Sequence, residues 1–338
     1  MRRTPAAAPG AVAVAALAML VGTVTPSLAA APAPLEQARR AAEEVPFEGE
    51  LVVQWLDGAT MRSERLWVQA AAGALVVQGA NLVMARPAFG RLLSPGGKGW
   101  ESMWLPSQGP SPRPNGIPKY MTSAPAQGPV VAGRPTNAVE VRGGGRLVER
   151  IYLDTQTDLL LRREQYDGQG RLLRTLTFEF IDLSPAGPPP ADAQPEKSHV
   201  PTAVDPQRLS SPAAAPAILA DGYERMGVYR DDNVLHVLYS DGLYDLSVFQ
   251  QQGRLRRSDL PPSGEPVAVG EASGWRYAWP GGQLVVWSTG GRVFTAVSDA
   301  PAAQVLAAVR SLPDIPRREL SLLGKIRRAC QALMEPLS

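Results

Sequence analysis

The sequence predicts a mainly β protein with α+β character, and three observations carry that expectation. Short apolar/polar alternations, rich in β-branched and aromatic residues, recur through most of the chain. Glycine-rich or Asp-Gly turns separate many of them, as in Gly143-Gly144-Gly145, Asp167-Gly168-Gln169-Gly170, Asp241-Gly242 and Gly290-Gly291. Helical periodicity is confined to a few brief stretches.

The elements follow in order. A weakly amphipathic helix is expected at 35–44, with Leu35, Ala38, Ala41 and Ala42 on its apolar side. Strands are expected at 50–55, 66–69, 74–78 and 99–104, then hairpins 137–142/146–153 and 159–166/171–181. So regular a series of antiparallel strands after one helix points to a strongly curved sheet or unclosed barrel. Residues 184–216 hold nine prolines in 33 positions and few large apolar side chains, the composition of an extended, semi-rigid linker. Beyond it, strands at 225–229, 234–239, 243–249, 267–270, 275–278, 283–288 and 292–297 precede a helix. Asp299 is its expected N-cap, and Pro301 sits in its first turn. Val305, Leu306, Val309 and Leu312 form its apolar side, and Pro313 stops it. The expected organisation is therefore a domain at 35–183, a linker at 184–216 and a small α+β domain at 217–313.

Both ends carry separate signals. Arg2 and Arg3, the apolar stretch 11–24 and Pro26-Ser27-Leu28-Ala29 have the layout of a cleavable signal peptide spanning 1–30. The apolar run is short for a span, which needs about 20 residues, so an exported chain in the periplasm or extracytoplasmic envelope is expected. At the other end, residues 317–338 combine helical spacing of Leu320, Leu323, Cys330 and Leu333 with Arg317, Arg318, Lys325, Arg327 and Arg328. Such a basic amphipathic tail lies on an anionic membrane surface, docks on an acidic partner, or folds back with its charges solvated.

Composition excludes several function classes. The whole chain has 34 Lys+Arg and 32 Asp+Glu, and the predicted leader holds Arg2 and Arg3 with no acid. The mature chain is thus neutral and offers no footing for nucleic acid. Cys330 is the single cysteine, so no intrachain disulfide forms. His199 lies in the proline-rich linker, and His236 is expected on a solvent or rim face; neither has a nucleophile in a suitable context. The stretch Pro95-Gly96-Gly97-Lys98-Gly99 lacks phosphate-loop spacing, and Asp231-Asp232-Asn233 lacks the other ligands of a calcium loop. No zinc-like spacing occurs, and no cofactor, metal or enzymatic activity is expected.

Aromatic and apolar residues are what remains. Trp55, Trp67, Met84, Phe89, Trp100, Met103, Trp104, Phe178 and Phe180 all belong to the first domain. On a curved sheet their inward members line a cavity for a lipid, or else fill an ordinary core. A second proline-rich stretch, 105–135, has eight prolines in 31 residues and reads as a long surface excursion.

The run His236-Val237-Leu238-Tyr239-Ser240-Asp241-Gly242-Leu243-Tyr244-Asp245-Leu246-Ser247-Val248-Phe249 resembles the "LYSDGL…SV" strand–turn–strand of the RseB/MucB family of sigma-factor regulators. Val293 to Val297 and the helix after it resemble that family's last strand and helix. Ile151-Tyr152-Leu153-Asp154 with Thr157 to Glu164 is similar to its "LD…TGLLLR" hairpin, a form shared with LolA-type lipoprotein carriers. The resemblance implies a LolA-like unclosed half-barrel with an apolar cavity, followed by a smaller partner-binding domain. It implies binding of the extracytoplasmic domain of an anti-sigma factor, control of that factor's proteolysis, and sensing of lipid. Leu238, Tyr239, Ser240, Asp241, Gly242, Leu243 and Tyr244 become candidate partner contacts. The alternative is a lipid or lipoprotein carrier of the cell envelope. The 105–135 stretch and the basic tail depart from the family pattern.

Overall fold

The computed structural model describes residues 34–71, 74–79, 82–86, 119–184, 202–209, 215–231 and 233–313. The predicted leader, the basic tail, most of the 184–216 stretch, residues 105–118 of the other proline-rich stretch, and Phe89, Trp100, Met103, Trp104, His199 and Cys330 lie outside these residues. No described helix is long and apolar enough to cross a membrane.

Helix α1 spans Pro34–Glu44. Pro34 suits a first turn that has no use for its missing N–H. Glu36 sits in that turn and receives Arg39 Nε at 3.0 Å and Nη2 at 2.6 Å. Leu35, Ala38 and Ala41 are buried on the inner side.

Ten antiparallel strands form the first sheet: β1 (Phe47–Asp57), β2 (Thr60–Ala71), β3 (Ala74–Gly79), β4 (Leu82–Arg86), β5 (Tyr120–Thr122), β6 (Ala126–Gln127), β7 (Thr136–Gly143), β8 (Arg146–Asp154), β9 (Leu160–Tyr166) and β10 (Leu172–Asp182). Their order is β4-β3-β2-β1-β10-β9-β8-β7-β5, with β6 also on β7, so the sheet stays open between β4 and β5. Two of its turns follow directly from sequence. Gly144 and Gly145 have φ of 57° and 79°, the left-handed pair that a two-residue hairpin requires. Asp167 Oδ1 accepts the Gln169 and Arg171 amides at 2.8 and 2.9 Å, closing the β9–β10 turn.

The second sheet contains β11 (Thr202–Ala203), β12 (Glu224–Asp231), β13 (Val234–Ser240), β14 (Asp245–Gln252), β15 (Glu265–Val269), β16 (Ala272–Trp279), β17 (Gly282–Thr289) and β18 (Arg292–Ser298). It is ordered β11-β12-β13-β14-β18-β17-β16-β15. Strand β11 comes from the proline-rich stretch and pairs with β12, so part of that stretch is sheet edge. Helix α2 spans Ala302–Arg310 and buries Val305, Ala308 and Val309. Its N-cap is Pro301, not the expected Asp299, whose side chain is drawn into the contact with the first sheet.

The two sheets meet face to face in part. One continuous apolar cluster holds Leu35, Val139, Val141 and Ile151 of the first part together with Tyr223, Tyr239, Leu243 and Val305 of the second. Full burial of each large aliphatic side chain contributes roughly 1.5–3 kcal/mol. A second cluster, around Phe47, Leu51, Val53, Leu66, Val68, Leu161, Leu176 and Phe178, fills the space under the β1–β2 end.

Candidate functional site

Strand pairing explains which side chains reach the contact between the sheets. Residues directly opposite one another share a face. The pairs Trp55–Arg174, Arg174–Gln165, Gln165–Glu149 and Glu149–Val141 therefore make one row across β1, β10, β9, β8 and β7. Val53, Leu176, Arg163, Ile151 and Val139 make the next. Both rows face inward, which places Arg163, Arg174, Glu149 and the polar Gln165 within an otherwise apolar surface.

Arg163 organises them. It is 1% exposed and donates from Nε at 2.9 Å and Nη2 at 2.5 Å to Glu149. Its Nη1 reaches Asp299 Oδ2 of the second sheet at 2.9 Å. Gln165 Nε2 donates to the Asp299 carbonyl at 2.8 Å. Burial raises the Asp299 carboxyl to about 6, and the Arg163 charge opposes that rise. Arg174 stands beside this cluster, 4% exposed, and its Nε and Nη2 donate to nothing. Burial and the nearby Arg163 charge push its guanidinium down to about 10.

The Ser240-Asp241-Gly242 turn supplies a second junction. Asp241 Oδ1 accepts the Leu243 and Tyr244 amides at 3.0 and 2.8 Å, so the side chain builds its own turn. Its Oδ2 accepts from Tyr120 Oη at 2.6 Å and from Lys119 Nζ, both of the first part, and from Gln304 of α2. Tyr244 packs edge-on to Tyr120 at 6.2 Å. Burial, then the Asp241 charge, lift the Tyr120 hydroxyl far above the usual tyrosine range.

The seven candidate partner contacts accordingly have internal roles. Tyr239, Ser240, Asp241, Gly242, Leu243 and Tyr244 are buried, and Leu238 is half-buried. Asp241 and Tyr244 meet Tyr120 of the first part, and Tyr239, Leu243 and Tyr244 belong to the shared apolar cluster, so these side chains present little surface to another polypeptide. His236 is also corrected: it is 2% exposed, not at a rim, and stacks on Phe249 at 4.4 Å and Tyr229 at 5.6 Å.

The cavity candidates divide between faces. Phe178 is buried and meets Phe47 edge-on at 5.8 Å. Trp55 is half-buried at the end of the inner row. Trp67 and Phe180 stack at 6.5 Å on the opposite, exposed face. The cause is a β-bulge: Leu51 pairs with Phe178 and Glu50 with Phe180, so a shift of register turns Phe180 outward. Gly49 accommodates the bulge, because a Cβ there would meet the Phe180 carbonyl oxygen at 2.4 Å. Met84 belongs to β4, pairing with Val77. The crevice under Leu51, Leu161, Leu176 and Phe178 leaves no room for a water molecule.

A cleft of about 170 Å³ opens beside the Arg163 cluster, between Trp55, Gln165 and Arg174 on one side and Arg276 and the start of α2 on the other. Among the described residues, no group of three or more His, Cys, Asp or Glu side chains is placed to hold a metal ion. Alternation across paired strands was the signal that could have assembled the Glu149–Arg163–Arg174 rows in advance. Nothing local foretold that Asp299 would join them.

No family model matches the chain, and no curated protein matches it either. Solved structures similar to it include MucB, at 17% identity and a TM-score of 0.49 over 82% of this chain and 95% of that one. MucB in complex with MucA(peri) gives 16% and 0.40 over 83% and 98%. The LolA superfamily protein NE2245 from Nitrosomonas europaea gives 10% and 0.18 over 46% and 93%.

Proposed function

We propose that the chain is an exported, non-enzymatic regulator of the RseB/MucB type, acting in the periplasm or extracytoplasmic envelope. It binds the extracytoplasmic domain of an anti-sigma factor and so controls that factor's proteolysis and the activity of the sigma factor. One observation carries the reading. The stretch 236–249, which resembles the family's strand–turn–strand, forms β13, the Asp241 turn and β14, and Asp241 ties this unit to the first sheet. The segment with the family signature thus takes part in joining the two halves, alongside the contact of Arg163 with Asp299.

The test is titration of the purified mature chain with the anti-sigma ectodomain encoded in the same genome, paired with a protease-protection assay. Saturable binding that slows cleavage is the expected result. Absence of binding, together with stoichiometric lipid in an organic extract that moves to acceptor vesicles, would replace the regulator with a carrier.

A further inference from the structure

Two exposed rings stand on the outer face of the first sheet. Trp67 of β2 and Phe180 of β10 are 39% and 52% exposed, lie at 17° to one another, and flank Glu50 of β1 in one cross-strand row. Val52, half-buried, is the next outward residue of β1. The inner side of these strands is already filled by Leu51 and Phe178, so packing of the fold does not call for the outer pair. Exposed apolar side chains grouped in this way mark interaction surfaces. The carboxylates of the same face give the surface a sign. Arg65 serves two of them, Glu50 at 2.8 Å and Glu179 at 2.9 Å. The other two, Glu48 and Asp182, stand directly opposite one another across β1 and β10, and neither joins an ion pair among the described residues. Like charges so placed destabilise a sheet, and positive charge brought from elsewhere relieves them.

The chain itself carries a segment of matching chemistry. Residues 317–338 set Arg317, Arg318, Lys325, Arg327 and Arg328 against Glu319 and Glu335, with Leu320, Leu323 and Leu333 at helical spacing. The leucines suit the two rings, and a guanidinium over an aromatic face gains further attraction. Length permits the contact. Cys330 lies 17 residues beyond Pro313, the last described residue, and an extended chain of that length spans about 55 Å. The β4-to-β5 path of the first sheet, at roughly 4.8 Å between strands, is only about 38 Å wide.

We propose that the Trp67–Phe180 face is the docking surface for the basic tail, residues 317–338, of the same chain. The tail covers the two rings with its leucines and sets its cations against Glu48 and Asp182, whether the chain regulates or carries. Cys330 is the single cysteine and gives the test a unique handle. A benzophenone maleimide is attached to it in the purified mature chain, illuminated at low protein concentration, and the adducts are mapped by mass spectrometry. Adducts within one chain, on residues 48–52, 65–69 or 179–182, are the expected result. Trp67→Ala with Phe180→Ala should lose most of them, and so should Arg327→Glu with Arg328→Glu. The second pair changes no residue of either sheet, so it carries the test if the first pair fails to fold. High salt should lower the yield as well, since the charges lie on an exposed face. Adducts that join two copies would seat the tail on a second copy and overturn the proposal. Adducts confined to other surfaces, no adducts, or equal yields from the parent and the variants overturn it too.

Discussion

The two faces of the β7–β10 region use the same residue types to opposite ends. On the inner face, Arg163 holds Glu149 and Asp299 where water is excluded. On the outer face, Arg142 and Arg150 hold Glu140 at 2.7 and 2.8 Å with their side chains 49% and 34% exposed. The distances are alike, and the surroundings differ. Water screens the outer pairs and leaves them worth little. The inner trio cannot fall back on solvent, so each member depends on the others. Geometry alone does not rank these contacts; burial does.

Arg163→Ala breaks the inner trio most completely, because it leaves two buried carboxylates uncompensated. A loss of about 3–5 kcal/mol in denaturant unfolding is expected, and a loss below about 1 kcal/mol would place the trio with the outer pairs. Tyr120→Phe comes next. It deletes one donor to the buried Asp241 carboxylate, an interaction worth about 1.5–3 kcal/mol, and an unchanged unfolding midpoint would show that Lys119 and Gln304 suffice.

The pH dependence sharpens the contrast further. The folded-state value of Asp299, about 6, lies above its ordinary 3.8, so the folded chain binds that proton more tightly than the unfolded chain. Its contribution is present at low pH and is lost as pH rises from about 4 through 6. Relative to Asp299→Asn, the parent should therefore gain stability on acidification from pH 7 to 4.5, by something of the order of 2 kcal/mol. A difference that stays flat with pH contradicts the buried setting. The smallest effect is on the outer face, where Arg142→Ala should cost only about 0.2–1 kcal/mol and fade in high salt. A larger loss that salt does not reduce would erase the contrast.

These contacts differ in how far they could be read from sequence. The open, antiparallel, mainly β architecture was legible, because alternation and glycine turns are local signals, and Gly144-Gly145 and Asp167 act where they stand. The hairpin β1–β2 was legible only in fragments, since Arg62, Ser63 and Glu64 interrupt the apolar alternation along β2. The bulge opposite Glu50 was not legible: it inverts the face of Phe180 without altering composition, and its cause is the pairing of β1 with β10. Asp299 carries an N-cap signature, yet Arg163, 136 positions away in sequence, claims it. Asp241-Gly242 reads as an exposed turn because most such turns are exposed. Lys119 and Tyr120, from the edge of a proline-rich stretch, cover this one. In each case a long-range partner overrode a correct local preference.

The proline-rich composition of 184–216 predicts a stiff tether between the two domains, and the described residues add a clasp to that tether. Most of the proline-rich stretch lies outside them, but Thr202–Ala203 pairs with β12, and the apolar cluster runs through both sheets. Arg163 and Asp299 join the two sheets directly. A double-mutant cycle is the closest test of that union, with Arg163→Ala, Asp299→Ala and the double variant unfolded at pH 7. A coupling energy well above 0.5 kcal/mol is expected, within the range of about 0.5–3 kcal/mol found for contacting groups. Effects that add to within about 0.3–0.5 kcal/mol would mean that the two residues do not hold the sheets together.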